Sequence, residues 1–153
     1  MRLSKILVPV DFSTSDRAVL EFAASLARDQ RAELIVLHVE EPPLAYGGGE
    51  LYYGIEQPSI EDLQAMLTAL TPNDKTIPVH HRLLNGDPAN TIVRIAAEEG
   101  ADLIVLGTHG RTGVLRMIMG SVAEVVVRKA HCPVLTLRQP VPERIMQSAE
   151  ATT

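Results

Sequence analysis

Five short apolar runs recur along the chain, at residues 5–10, 33–39, 77–84, 102–106 and 133–137. The first, second and fourth are nearly continuous in Ile, Val and Leu, which is typical of strands covered on both faces of a parallel sheet. Between the runs lie segments in which apolar residues recur with the helical period, at residues 15–29, 59–70, 88–99 and 122–130. This alternation predicts a doubly wound α/β domain with a five-stranded parallel sheet.

Several predicted helices carry boundary signals. Ser13 and Asp16 have the S-x-x-D spacing of a capping box before the first helix. Asp87 followed by Pro88 is typical of an N-cap and first helical residue, and Gly100 is a natural stop for the same helix. The second helix places its apolar side chains on one face, namely Ile60, Leu63, Met66, Leu67 and Leu70.

Two segments depart from this pattern. Residues 40–58 form a long predicted loop that contains all three tyrosines. A loop of this length is either a surface excursion or a lid over a ligand, and the residues favour neither. Residues 140–153 have no partner element and are predicted to be a flexible tail, which leaves one folded domain over residues 1–139.

Composition narrows the class of protein. Aromatic residues make up 3% of the chain and Trp is absent, so the predicted core is aliphatic. The net charge of -5, with Lys and Arg dispersed, argues against binding to nucleic acid or to an anionic membrane. Cys132 is the single cysteine, which excludes an intrachain disulfide. We see no signal peptide and no membrane-spanning run, and we therefore expect a cytoplasmic protein.

The candidate site is the glycine-rich stretch GTHGRTGVLRMIMGS at residues 107–121, between the fourth predicted strand and the last helix. In open α/β sheets, ligands bind beyond the carboxyl ends of the strands where the strand order reverses. With strand order 3-2-1-4-5, this crevice lies between strand one, which ends before Asp11, and strand four, which ends before Gly107.

The chemistry of the stretch suits a phosphate. Glycines allow the backbone to approach a ligand closely, and the first amides of the following helix lack intrahelical partners. Ser121 and Glu124 also have the spacing of a capping box, which would explain Ser121 without a ligand. Capping does not explain residues 107–120, because strand-to-helix loops usually need only about 2–6 residues.

These residues closely resemble the universal stress protein family. The nucleotide-binding branch of that family carries G-x2-G-x9-G-(S/T), and Gly107, Gly110, Gly120 and Ser121 match every fixed position. The opening KILVPVDFS and the run ELIVLHV resemble the first two strands of the family. The resemblance covers about residues 3–138. It implies an adenine-nucleotide alpha-hydrolase-like fold that binds ATP, with or without Mg²⁺.

The resemblance assigns the adenosine end of the site to the first two strands. Pro9 and Val10 would line it, and Asp11 would lie near the ribose. The backbone of Val39 would offer hydrogen bonds to adenine. Asp11 is also the candidate ligand for a hydrated Mg²⁺, since that ion prefers one or two carboxylates together with phosphate oxygens. The alternative for Asp11 is a solvated turn residue.

At the phosphate end, the resemblance implies that Gly107 and Gly110 approach the ribose and phosphates. Gly120, Ser121 and Val122 would hold the phosphates through main-chain amides and the Ser hydroxyl.

His109 and Arg111 flank the second glycine of the motif. Arg111 would pair with phosphate, or else face solvent. His109 would order the loop or meet a phosphate, because no second ligand stands at metal-binding spacing.

Other catalytic motifs are absent from the sequence, among them G-x4-G-K-(S/T), G-x-S-x-G, H-E-x-x-H and C-x-x-C. His80 and His81 are adjacent on a predicted strand, so they point to opposite faces and cannot chelate one ion. No convincing base for ATP hydrolysis is evident. The sequence therefore favours a nucleotide-dependent stress-response regulator, and a slow Mg²⁺-dependent ATPase or phosphotransfer enzyme is the alternative. A ligand-free dimeric interaction module is a second alternative.

The last predicted strand, with residues 133–138, would lie at an edge of the sheet. Exposed edges of this kind tend to be covered or paired. The family resemblance implies that two subunits pair these strands as a homodimer. Nucleotide state would then bias binding to an unknown downstream protein.

Overall fold

The computed structural model describes residues 1–42, 57–108 and 119–138. Strands and helices alternate through them: β1 (Lys5–Val10), α1 (Asp16–Gln30), β2 (Glu33–Glu40), α2 (Ile60–Ala69), β3 (Val79–Asn85), α3 (Pro88–Glu98), β4 (Leu103–Gly107), α4 (Ser121–Lys129) and β5 (Val134–Leu137). The five strands form one parallel sheet in the order β3-β2-β1-β4-β5. The predicted fold and strand order are confirmed. The third strand begins two residues later than predicted, at Val79.

Two aliphatic cores cover the two faces of the sheet. Because side chains alternate along a strand, Ile6 and Val8 of β1 enter the core with α1, while Leu7 enters the core with α3 and α4. Residues 34–37 of β2 divide in the same way. This double coverage explains the continuous apolar runs of the central strands.

One predicted helix start and the predicted stop of the same helix are correct, and the start signal of another helix was missed. The Asp87 carboxylate accepts from the amide of Asn90 at 2.9 Å, with Pro88 following it, and Gly100 has a left-handed φ of +67° just after α3. Ser59 and Asp62 form a reciprocal capping box at α2. Each of these signals satisfies main-chain groups that the helix itself cannot pair.

The two other predicted capping boxes are wrong. Helix α1 begins at Asp16 after Ser15 and has no side-chain cap, because the Asp16 carboxylate turns back to the amides of Asp11 and Phe12. Helix α4 has Gly120 as its N-cap, which makes Ser121 the first helical residue. Glu124 pairs with Arg128 instead, with 2.6 Å between Oε1 and Nη2.

The predicted apolar face of α2 is only partly buried. Leu63 and Leu67 are buried, but Ile60 and Met66 are 69% and 42% exposed. The helix packs mainly against β3, which is the edge strand of the sheet, and so it has less surface to cover than the other helices.

Candidate functional site

The strand order reverses between β1 and β4. These strands pair at Ile6–Leu103 and Leu7–Ile104, whereas β1 and β2 pair along the whole of β1 up to Val10. The pairing of β1 with β4 therefore does not extend to the carboxyl ends of the two strands. Val10 and Gly107 end their strands at the same edge of the sheet, which is the place predicted for the ligand crevice.

The turn from β1 to α1 is held by its own carboxylates. Asp16 Oδ2 accepts hydrogen bonds from the amides of Phe12 at 2.6 Å and Asp11 at 3.2 Å. The Asp11 carboxylate accepts from the amide of Ser13 at 3.0 Å. These amides already bond carboxyl oxygens of the protein, so this side of the crevice presents acceptor oxygens. Oxygens of this kind suit ribose hydroxyls or a hydrated cation better than a phosphate.

Asp16 is a buried acid whose environment opposes its charge. Desolvation by burial raises its pKa from 3.8 to about 7, and the nearby charge of Asp11 adds to this. The hydrogen bonds from the amides of Phe12 and Asp11 act in the opposite direction but are smaller. Asp16 therefore gains or loses its proton near neutral pH.

Val39 lies one residue before the end of β2 and is buried, and its main-chain groups are directed towards β1. Glu33 N donates to Ser4 O before β1, and Glu40 O accepts from Gly86 N after β3. Main-chain groups of odd-numbered residues in β2 therefore face β1, and those of even-numbered residues face β3. In a parallel ladder, the next donor to the Val39 carbonyl would be the amide of Phe12. That amide bonds Asp16 instead. The Val39 carbonyl is thus directed to the crevice side of β2, beyond Val10.

The other side of the crevice is built where β4 leads to α4. The amide of Gly120 donates to the Thr108 carbonyl at 2.5 Å, and the amide of Thr108 donates to Leu137 O at 3.0 Å. The Gly120 amide is thereby occupied inside the protein. The exposed Ser121 and Val122 follow as the first two helical residues, and their amides have no partner within the helix.

Three candidate residues, His109, Gly110 and Arg111, lie outside the described residues. So do most of the loop 40–58 and all of the tail 140–153. The structure brings together, around one edge of the sheet, the remaining candidates: Pro9, Val10, Asp11, Val39, Gly107, Gly120, Ser121 and Val122.

Sequence reasoning missed His38, which is 3% exposed beside Val10. Its Nδ1 lies 2.9 Å from the Val10 carbonyl oxygen, and its Nε2 lies 2.7 Å from Glu40 Oε2. The ring of Phe12 packs on it with 4.2 Å between ring centroids. The H-x-E spacing of His38 and Glu40 could have predicted their contact, because residues two apart on a strand lie on the same face.

The remaining candidate chemistry is structural. His80 lies 3.4 Å from Glu33, and His81 Nε2 lies 2.9 Å from the Leu70 carbonyl oxygen, on the other face of the edge strand as predicted. Cys132 is half-buried, and burial raises the pKa of its thiol. Within residues 1–42, 57–108 and 119–138, no three His, Cys, Asp or Glu side chains cluster as metal ligands. No helix in these ranges is long and apolar enough to cross a membrane.

Comparison with known proteins agrees with this fold. The model of the universal stress protein family matches residues 3–138. Universal stress protein MJ0531 of Methanocaldococcus jannaschii is 34% identical over 144 residues, which are 91% of this chain and 84% of that protein. The solved structure of MJ0577, from the same organism, superposes with a TM-score of 0.70 at 29% identity, covering 91% of this chain and 98% of that one. A universal stress protein from Archaeoglobus fulgidus, solved in complex with dAMP, has a TM-score of 0.63 at 30% identity and covers 89% and 98%.

Proposed function

Since the chain belongs to the universal stress protein family, we propose that it is a regulatory protein that binds ATP between the carboxyl ends of β1 and β4. The observation that carries this proposal is the division of the crevice into two chemically different sides. One side presents the Asp11 carboxylate and the Val39 carbonyl. The other presents the amides of Ser121 and Val122 at the start of α4.

The acceptor side suits adenosine. The Val39 carbonyl would accept from the adenine amino group, Pro9 and Val10 would contact the base, and Asp11 would accept from ribose hydroxyls. Asp11 would also hold Mg²⁺ together with phosphate oxygens, where the ion would neutralise part of the phosphate charge.

The donor side suits the phosphates. Ser121 and Val122 would donate amide hydrogen bonds at the positive end of the α4 dipole, and the Ser121 hydroxyl would donate another. Gly107 lets the chain pass close to the ligand, and Gly110 and the flanking His109 and Arg111 would complete this side. The dAMP complex of the Archaeoglobus fulgidus protein supports an adenine nucleotide as the ligand class.

A regulatory role fits better than an enzymatic one. ATP hydrolysis needs a group that activates water beside the terminal phosphate. In this proposal Asp11 contacts the ribose and Mg²⁺, and the Asp16 carboxyl group is engaged by main-chain amides, so neither is left to activate water. We include in the proposal a homodimer through residues 133–138, a downstream protein partner and a cytoplasmic location.

Calorimetric titration with ATP and GTP tests the ligand. We expect saturable binding of ATP in the micromolar to millimolar range and much weaker binding of GTP. Asp11→Ala should weaken ATP binding, while the same change at exposed Asp29, in the last turn of α1, should not. Mass spectrometry of gently purified protein should detect bound ATP or ADP. If the wild type binds no adenine nucleotide in either experiment, the proposal is wrong.

A further inference from the structure

Both ring nitrogens of His38 face acceptor oxygens. Its Nδ1 faces the carbonyl oxygen of Val10 at 2.9 Å, and its Nε2 faces a carboxylate oxygen of Glu40 at 2.7 Å. A carbonyl or an ionised carboxylate can only accept a hydrogen bond, and a neutral imidazole carries only one N–H. Both contacts are satisfied together when the ring is an imidazolium.

His38 contacts both ends of the segment Val10–Phe12. Its Nδ1–H donates to the carbonyl of Val10, the last residue of β1, and its ring packs against the ring of Phe12 with 4.2 Å between ring centroids. Phe12 has a left-handed backbone with φ of +62°, a conformation that a bulky residue rarely adopts. Contacts around the residue must therefore hold it there, and His38 and Asp16 supply them.

Other titratable groups belong to the elements packed around His38. Asp11 and Asp16 belong to the turn and to α1, and Glu40 follows His38 on the same face of β2. His81 of β3 lies on the same face of the sheet, with its Nε2 at the carbonyl oxygen of Leu70. Glu40 is the partner in direct contact with the His38 ring.

Building on the proposed function, we propose that His38 is a positioning residue for the adenosine end of the site. It fixes the Val10–Phe12 turn as an imidazolium paired with Glu40, and nucleotide affinity therefore depends on this proton. A neutral ring has one N–H and can satisfy only one of the two contacts, and the tautomer that carries the hydrogen on Nε2 keeps the bond to Glu40 and loses the bond to Val10.

Two substitutions separate the two contacts of the ring. In His38→Asn the amide nitrogen stands near the position of Nδ1 and can still donate to Val10. In His38→Gln the amide stands near Nε2 and keeps only the contact with Glu40. We expect the Asn variant to bind ATP within a few-fold of wild type and the Gln variant to lose about tenfold, as for one hydrogen bond from a charged donor. Equal affinity of both variants and wild type would overturn the proposal.

Glu40→Gln tests the dependence on the proton. A Gln amide can either accept from Nε2–H or donate to bare Nε2, so the Nδ1–H bond survives in both states of the ring. The ratio of wild-type to Glu40→Gln affinity for ATP should fall as the pH rises and the wild-type ring loses its proton. Titration of the nucleotide itself cancels in this ratio, and a constant ratio would contradict the proposal.

Nitrogen NMR of the wild-type His38 ring provides a test that requires no variant to fold. Both ring nitrogens should have the chemical shift of a protonated nitrogen at neutral pH, and one unprotonated nitrogen would overturn the inference. Failure of the wild type to bind ATP would instead count against the proposed function, because the NMR result does not depend on a ligand.

Discussion

Asp16 Oδ2 accepts a hydrogen bond from the amide of Phe12 at 2.6 Å, so a buried side chain of α1 fills the turn that precedes its own helix. In many nucleotide-binding α/β folds, the first strand-to-helix turn gives such amides to the ligand phosphates. Here they are occupied by a carboxylate of the protein. Phosphates would therefore bind on the β4–α4 side of the crevice, and the β1 side is left to the nucleoside.

The first prediction concerns the pH dependence of stability. The pKa of Asp16 is raised from 3.8 to about 7, so its ionisation is less favourable in the folded protein than in the unfolded chain. The stability that the protonated carboxyl group of Asp16 contributes is fully present below about pH 4 and is lost as pH rises through about 7. By linkage the loss is on the order of 4 kcal/mol. Asp16→Asn, which cannot ionise, should therefore be more stable than wild type at about pH 8.

Chemical denaturation from about pH 5 to about pH 8 measures this difference. Asp102→Asn is the matched control, because hydrogen bonds from the amides of Ser4 and Lys5 lower the pKa of Asp102. The contribution of Asp102 is present above its unfolded pKa and is lost as pH falls through its folded pKa. Because the unfolded and folded pKa values of Asp102 both lie below this pH range, the control should be less stable than wild type by a similar amount throughout it. An Asp16→Asn variant that is equally destabilised at every pH would contradict the prediction.

The fold could be predicted because the evidence for it is local. Continuous apolar runs, helical periodicity and the Asp87-Pro88 signal each depend on neighbours in sequence. The role of Asp16 could not be predicted in this way. Its S-x-x-D spacing suggests a capping box, and an aromatic residue such as Phe12 gives no sign of a left-handed backbone. The buried contact between His38 and Glu40 was hidden for a similar reason, since in sequence the histidine is one residue of an apolar strand.

The second prediction tests the assignment of phosphates to α4. Ser121→Asp adds a carboxylate at the first residue of the helix, where the dipole favours a negative charge and the fold should be kept. The same charge would repel bound phosphates. We expect ATP affinity to fall by about tenfold or more, equivalent to about 1.4 kcal/mol, while the affinity for adenosine changes little.

Ser121→Asn is the matched control, since it has a similar size and no charge, and it should stay close to wild type for both ligands. Calorimetry with ATP and adenosine in parallel separates the two ends of the site. If Ser121→Asp binds ATP as tightly as wild type does, the phosphates do not lie beside α4.

The third prediction concerns the edge strand β5. Ile104 N donates to Pro133 O, and Thr108 N donates to Leu137 O. Odd-numbered residues of this strand therefore direct their main-chain groups towards β4, and Thr136 directs its own away from the sheet. Thr136→Pro should remove an outward donor and leave the bonds to β4 intact.

If two subunits pair through residues 133–138, this substitution should raise the dimer dissociation constant by about tenfold, as expected for a main-chain hydrogen bond lost at each of two symmetry-related positions. Thr136→Val keeps the amide and should dimerise like wild type. Sedimentation equilibrium over a range of protein concentrations measures the constant, and thermal unfolding checks that the proline leaves the monomer folded. A proline variant that dimerises as tightly as wild type would place the interface elsewhere on the molecule, because a strand cannot extend a sheet through a donor that it lacks.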